Sequence, residues 1–266
     1  MESRPCGYRP LVPTAPSRRD RRRSARLHSP EASAPAPRGR WVAVVPGLLA
    51  AVGFAVPVTV LALVVRGRVD GIAQLDQHLI LAATVVTRDH PVLLSSLKAW
   101  EAAFQPTNVY VVATVVCLLV GWRRRLRSRA VWAFLTMMVA WNIALDLKYV
   151  VQRVRPVVDD PVSSAPGYSF PSGHVANAAA ACTALTILVW PLLRSTSARV
   201  AVVGVAGAVV VLTMLDRVYL GVHFPSDTVA GVLVGSGLVL SSFLGYRGIS
   251  RRRHDPKRHD PEAENA

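Results

Sequence analysis

The chain has 266 residues, 52% of them hydrophobic, and carries a formal net charge of +15. In a soluble domain those facts conflict; in a membrane protein they separate, with apolar residues in spans and basic residues in loops and tails. The arginines flank apolar segments and form no interleaved basic and aromatic surface, which argues against nucleic acid as a partner. The three cysteines, Cys6, Cys117 and Cys182, offer no CxxC pair and no Cys/His metal spacing. Structural zinc, redox chemistry and a disulfide framework are therefore not expected.

Residues 1–40 are rich in Pro, Arg, Ser and Ala and lack apolar periodicity. They are expected to be a disordered basic tail. Its arginine run, 18–26, reads as a polybasic segment held against anionic headgroups. The apolar run that follows reaches residue 65, too long for a secretory signal and long enough to cross a bilayer. Six spans are predicted, at about 41–65, 102–122, 130–151, 171–193, 199–218 and 227–246. Between the first two lies a mixed stretch, 66–101, whose apolar patches are broken by Arg88, Asp89 and His90. It reads as short helices at the membrane surface, with a re-entrant segment as the alternative. Residues 247–266 form a second basic tail. The expected fold is all-α, one six-transmembrane helix bundle over 41–246 between two tails.

The basic residues orient this bundle. Residues 1–40 hold ten Lys/Arg, 123–129 five, 194–199 two and 247–266 six. Six spans place all four regions on one side, which the positive-inside rule makes the cytoplasm. Trp41, Trp122, Trp190 and Tyr246 fall at those ends, as an aromatic belt would. The expectation is a multi-pass cell-membrane protein with both termini cytoplasmic.

Three motifs then collect on the opposite, extracytoplasmic face. The first runs from Lys148 to Arg155 and Pro156, the second is Pro171-Ser172-Gly173-His174, and the third runs from Arg217 through His223 to Asp227. Lys148 and Arg155 are seven apart. A helix limited by Pro156 would put them on one face, while Arg153 reads as a cation snorkelling to the interface. Pro171 in a first helical turn would place Ser172, Gly173 and His174 at a helix N-terminus, where free N–H groups bind anions. Pro225 and Ser226 suggest that the last span starts there, with Asp227 in its first turn. Its carboxylate can accept from one ring nitrogen of His223 and leave the other free to attack. Each motif alone has a plainer account: a snorkelling lysine, an ordinary helix start, an interfacial histidine with a capping aspartate. Convergence at one depth favours chemistry.

The remaining polar residues read more simply. His28, His78, His90, His254 and His259 are surface residues, and Asp159 and Asp160 are solvated in the outer loop. Asp146 and Asn142 share a helical face and are expected to hydrogen-bond each other. Glu101, Gln105 and Asn108 form a polar stripe at the outer end of the second span and are candidates to line the site.

The motif set and its order, K-x6-RP, then PSGH, then R-x5-H-x3-D, resemble the type 2 phosphatidic acid phosphatase (PAP2) family. That family includes lipid phosphate phosphatases, bacterial acid phosphatases and vanadium haloperoxidases. The resemblance covers roughly residues 60–245 and departs at Asp216, where the family has Ser. It implies a bundle of the PAP2/haloperoxidase-like type and a phosphatase needing no metal and no cofactor. It implies that His223 is the nucleophile and forms a phosphohistidine, that Asp227 orients it, and that His174 acts as general acid and then base. Lys148, Arg155, Ser172, Gly173 and Arg217 would hold the phosphoryl oxygens. The implied partners are the membrane and a lipid phosphate substrate: phosphatidic acid, phosphatidylglycerophosphate or a polyprenyl mono- or diphosphate. The alternative is a non-catalytic or transport protein that binds anionic headgroups. Asp216 either buttresses Arg217 or lowers affinity for multiply charged substrates.

Overall fold

The computed structural model describes residues 38–158 and 162–254, with side chains from 44 to 250 apart from residues 159–161. The expected basic tail up to residue 37, the Asp159–Asp160 loop and the end of the C-terminal tail lie outside the described residues. The residues that build the site all fall within one unit, Arg40–Ala266.

Every described element is helical. They are α1 (Arg38–Arg66), α2 (Asp70–Asp89), α3 (Pro91–Ala103), α4 (Pro106–Arg123), α5 (Arg127–Val151), α6 (Gly173–Val189), α7 (Thr196–Tyr219) and α8 (Pro225–His254), with a 3₁₀ turn Trp190–Leu192 closing α6. Six of them, α1 and α4–α8, are long and apolar enough to cross a membrane. The chain is a multi-pass membrane protein of all-α class, and the six predicted spans fall on these six helices. The 66–101 stretch forms α2 and α3, and α3 continues through Ala103, so the second span starts at Pro106. The last helix continues past Tyr246 to His254, taking in residues assigned to the C-terminal tail.

Two helices organise the centre. α6 carries an alanine run from Ala178 to Ala181 and faces α8. A Cβ added at Gly235 would sit 2.2 Å from the Ala176 carbonyl oxygen, and one at Gly231 2.9 Å from the Ser172 carbonyl oxygen. Small residues thus let the two backbones touch, the device that replaces hydrophobic collapse where lipid is as apolar as leucine. Outward-facing residues such as Leu48, Leu49, Leu118 and Val200 remain exposed on the bundle, as lipid contact allows. A hydrophobic cluster joins Val65, Val151, Phe170 and Ala230.

Candidate active site

α6 and α8 both begin at the site, and α5 and α7 both end there. The N–H of Ser172 donates to the carbonyl of Asp227 at 3.0 Å, which fixes the two helix starts against each other. The first helical bond of α6 runs from Ala176 N–H to Ser172 C=O at 2.9 Å. The amides of Gly173, His174 and Val175 therefore precede the ladder and have no helical partner. Pro171 lies before the helix rather than in its first turn, because Ser172 is the extended N-cap residue. Ser172, Gly173 and His174 still occupy the helix start, as expected.

α5 ends earlier than expected. Gln152 adopts φ 53° and caps the helix at Val151, four residues before Arg155. Lys148 and Arg155 therefore do not share a helical face. Instead, Arg153 and Arg155 alternate in a non-helical segment and both reach the His223–Asp227 pair. The segment is tied down by Ser169 N–H donating to Arg153 C=O at 2.8 Å.

His223 follows a turn at Gly221 with φ +74°, where a Cβ would lie 2.7 Å from the Thr84 methyl. Only glycine suits both constraints. The ring is almost wholly buried. Its Nε2 lies 3.2 Å from Arg155 Nη1, and its Nδ1 lies 3.6 Å from Asp227 Oδ2 and 3.5 Å from Ser169 Oγ. A guanidinium can only donate. Nε2 must therefore be the unprotonated nitrogen, and Nδ1 carries the proton toward Asp227. Burial lowers the His223 pKa to about 4, against the opposing pull of Asp227. The ring is therefore neutral at ordinary pH, with a lone pair on Nε2. Burial also lowers the pKa of Arg155, whose other bonds go to the carbonyls of Val222, Pro166 and Gly167.

Asp227 is fully buried and well satisfied. It accepts from Arg153 Nη1 at 2.6 Å, from Phe224 N–H at 3.0 Å and from Ser169 Oγ. Arg153 is thus not a snorkelling cation. It bridges Asp227 to Asp76 on α2, at 2.7 Å, donates to Ser226 Oγ at 2.7 Å and lies over the Phe224 ring. Asp76 in turn accepts from the N–H of Ser226 at 3.0 Å and from its hydroxyl. Sequence reasoning missed Asp76, Ser169 and Ser226 as well as this role of Arg153. Asp76 lies among Gln74, Gln77 and His78, where a carboxylate gives no signal in the sequence.

The other cations converge. Lys148 Nζ donates to the Tyr168 carbonyl at 2.8 Å, and its Cε lies 3.7 Å from where a Gly173 Cβ would be. Arg217 is almost wholly buried and pairs with Asp216 and with Glu101 of α3. His174 lies within electrostatic range of Arg217, His223, Lys148 and Arg155. Its Nε2 and the Ser172 hydroxyl are buried polar atoms with no partner among the described residues. Of the polar stripe, only Glu101 reaches the site: Asn108 donates to the Ala102 carbonyl at 2.9 Å, and Gln105 is exposed. Asn142 donates to the Met138 carbonyl rather than to Asp146, which is exposed. His78 and His90 are exposed, as expected, whereas His28 and His259 lie outside the described residues. Among the described residues, no group of three or more His, Cys, Asp or Glu side chains is placed to hold a metal ion.

Over 90 residues the chain is 39% identical to phosphatidylglycerophosphatase B of Bacillus subtilis, a stretch covering 34% of this chain and 44% of that relative. It is 29% identical over 161 residues to an undecaprenyl-diphosphatase of Sulfolobus acidocaldarius, covering 58% of this chain and 70% of the relative. A decaprenylphosphoryl-5-phosphoribose phosphatase of Mycobacterium tuberculosis is 36% identical over 122 residues, 43% of this chain and 61% of the relative. The fold matches the crystal structure of a transmembrane PAP2-type phosphatidylglycerolphosphate phosphatase from Bacillus subtilis. The TM-score is 0.66 at 23% identity, over 79% of this chain and 98% of that one. The PAP2 superfamily model matches residues 130–251, a stretch that contains every motif residue of the site.

Proposed function

We propose that this protein is an integral membrane phosphatase that hydrolyses lipid phosphates, of monoester or diphosphate type, through a phosphohistidine, without a metal. The observation that carries the reading is the pairing of a neutral, buried His223 with two unpartnered polar atoms, Ser172 Oγ and His174 Nε2. They sit at a helix N-terminus among Lys148, Arg155 and Arg217. Buried polar groups find partners in stable proteins, and phosphoryl oxygens would supply them here. The protein's own packing does not require glycine at 173; a phosphate brought against the helix start does.

In the first step His223 Nε2 attacks phosphorus. The P–N bond forms as the P–O bond to the leaving group breaks, the lipid alcohol of a monoester or the lipid monophosphate of a diphosphate, and His174 donates a proton to the leaving oxygen. The Arg155 N–H that held Nε2 turns to a phosphoryl oxygen. Asp227 holds Nδ1–H and stabilises the charge that builds on the ring. In the second step water attacks phosphorus, His174 takes its proton, the P–N bond breaks and inorganic phosphate leaves. Preorganised cations and amide groups stabilise the equatorial oxygens in both steps. The reading is supported by relatives named as phosphatases of phosphatidylglycerophosphate, undecaprenyl diphosphate and decaprenylphosphoryl-5-phosphoribose. The positive-inside rule supports a site at the extracytoplasmic face with both termini cytoplasmic.

The test is phosphate release by purified protein from a panel of lipid phosphates in excess EDTA. Turnover should persist in chelator and be inhibited by vanadate, whose trigonal-bipyramidal form matches the transition state. An absolute Mg²⁺ requirement, restored by adding metal back, overturns the mechanism.

A further inference from the structure

Arg217 does not offer the site a free cation. Its side chain is 1% exposed; Nε donates to Asp216 Oδ2 at 2.8 Å, Nη2 donates to the same oxygen, and Nη1 donates to Glu101 Oε1 at 2.7 Å. Glu101 comes from the last turn of α3. That helix is held to α7 by Trp100 Nε1 donating to Thr213 Oγ1 at 3.3 Å. Arg153 is bound in the same way, between Asp76 and Asp227. Each of these two arginines thus carries two carboxylates, a group of net charge −1. Lys148 and Arg155 donate only to carbonyls and to His223. Their two charges balance the two groups, so the formal charges of the eight side chains sum to zero.

We infer that this balance makes the site select a headgroup with a single phosphate over one with a diphosphate, and that Asp216 and Glu101 set the limit. The inference rests on the phosphatase reading and names its substrate class: a lipid phosphomonoester. A carboxylate beside the site penalises a ligand in proportion to the ligand's charge. A diphosphate, more negative than a monoester, therefore loses more. Asp216 and Glu101 act through Arg217. They hold its guanidinium in place and cancel its field, so they are specificity-determining positioning residues, not groups that touch the reacting atoms.

The experiment uses the full chain in lipid nanodiscs, titrated calorimetrically with inorganic phosphate and with pyrophosphate, both in EDTA. In parallel, kcat and KM are measured for phosphatidic acid and for a polyprenyl diphosphate. Asp216→Asn and Glu101→Gln keep the hydrogen-bond acceptor and remove the charge. Each should move the ratio of the two affinities toward pyrophosphate by about fivefold or more, and kcat/KM should move the same way through KM. Asp216→Ser serves as the second variant at the buried position, and Glu101 is half-buried, so its variant does not disturb the core. A smaller shift in the affinity ratio, or one toward phosphate, overturns the inference. A purely structural role would weaken both ligands alike and leave the ratio unmoved. If no lipid phosphate is hydrolysed, the phosphatase reading fails, while the phosphate and pyrophosphate titrations still decide the charge selection.

Discussion

At the residue scale the site turns on one nitrogen. Arg155 Nη1 lies 3.2 Å from His223 Nε2 and can only donate, so the tautomer that the proposed attack requires is already present. His223→Ala should abolish phosphate release while the protein remains folded in membranes, measured by release from a lipid phosphate alongside a thermal melt. The pH dependence follows from burial. Protonating His223 would remove the proposed nucleophile, and burial lowers its pKa from 6.5 to about 4. The acid limb of kcat/KM should therefore fall as pH drops through about 4, and a midpoint near 6.5 would contradict the burial argument. Arg153 carries a separate expectation. Its planar fork spans Asp76 and Asp227 at once, whereas a lysine is a single point charge. Arg153→Lys should lower kcat by about tenfold or more with little change in KM, because Asp227 would lose its alignment rather than the phosphate its ligands.

At the scale of elements, the close approach of α6 to α8 sets the distance between the PSGH helix start and His223–Asp227. Gly235 is where that approach is tightest, against backbone that cannot rotate away. Gly235→Ala should destabilise the protein by about 1–3 kcal/mol, from overpacking, and lower activity by separating Ser172 from Asp227. A melting temperature and specific activity both equal to wild type would show that the helices can part without cost. Helices α2 and α3 matter as much. α2 supplies Asp76 and α3 supplies Glu101, so the stretch between the first two spans is built into the site from two sides. Thr87 of α2 also donates to the Tyr219 carbonyl at 2.8 Å, pinning the turn that leads to His223.

At the scale of the whole molecule, six spans with alternating basic loops predict that residues 152–170 face outward. A cysteine placed at Ser163, in a background with Cys6, Cys117 and Cys182 replaced, should react with an impermeant thiol reagent in intact cells. Labelling only after lysis would reverse the orientation. The apolar surface of α1 and α7, including Leu48, Leu49, Val52, Val200 and Val205, is what a lipid-facing pair of helices would present.

Much of this protein was legible in the sequence. Span length and hydropathy determined the six membrane helices, because a bilayer has a fixed thickness and helices a fixed rise. The spacing of His223 and Asp227, and of Ser172, Gly173 and His174, survives into the structure because each set lies within one helix start or turn. What depended on long-range pairing was not legible. Arg153 read as a snorkelling cation because its partners, Asp76 and Asp227, are 77 and 74 positions away. Glu101 meets Arg217 across 116 positions. Pro156 looked like the end of α5, but the left-handed Gln152 ends it first, and nothing in glutamine's side chain announces that conformation. Local periodicity reports which residues share one helix; only the tertiary structure decides which charges meet, because opposite charges drawn into a low-dielectric interior must find each other wherever they lie in the chain.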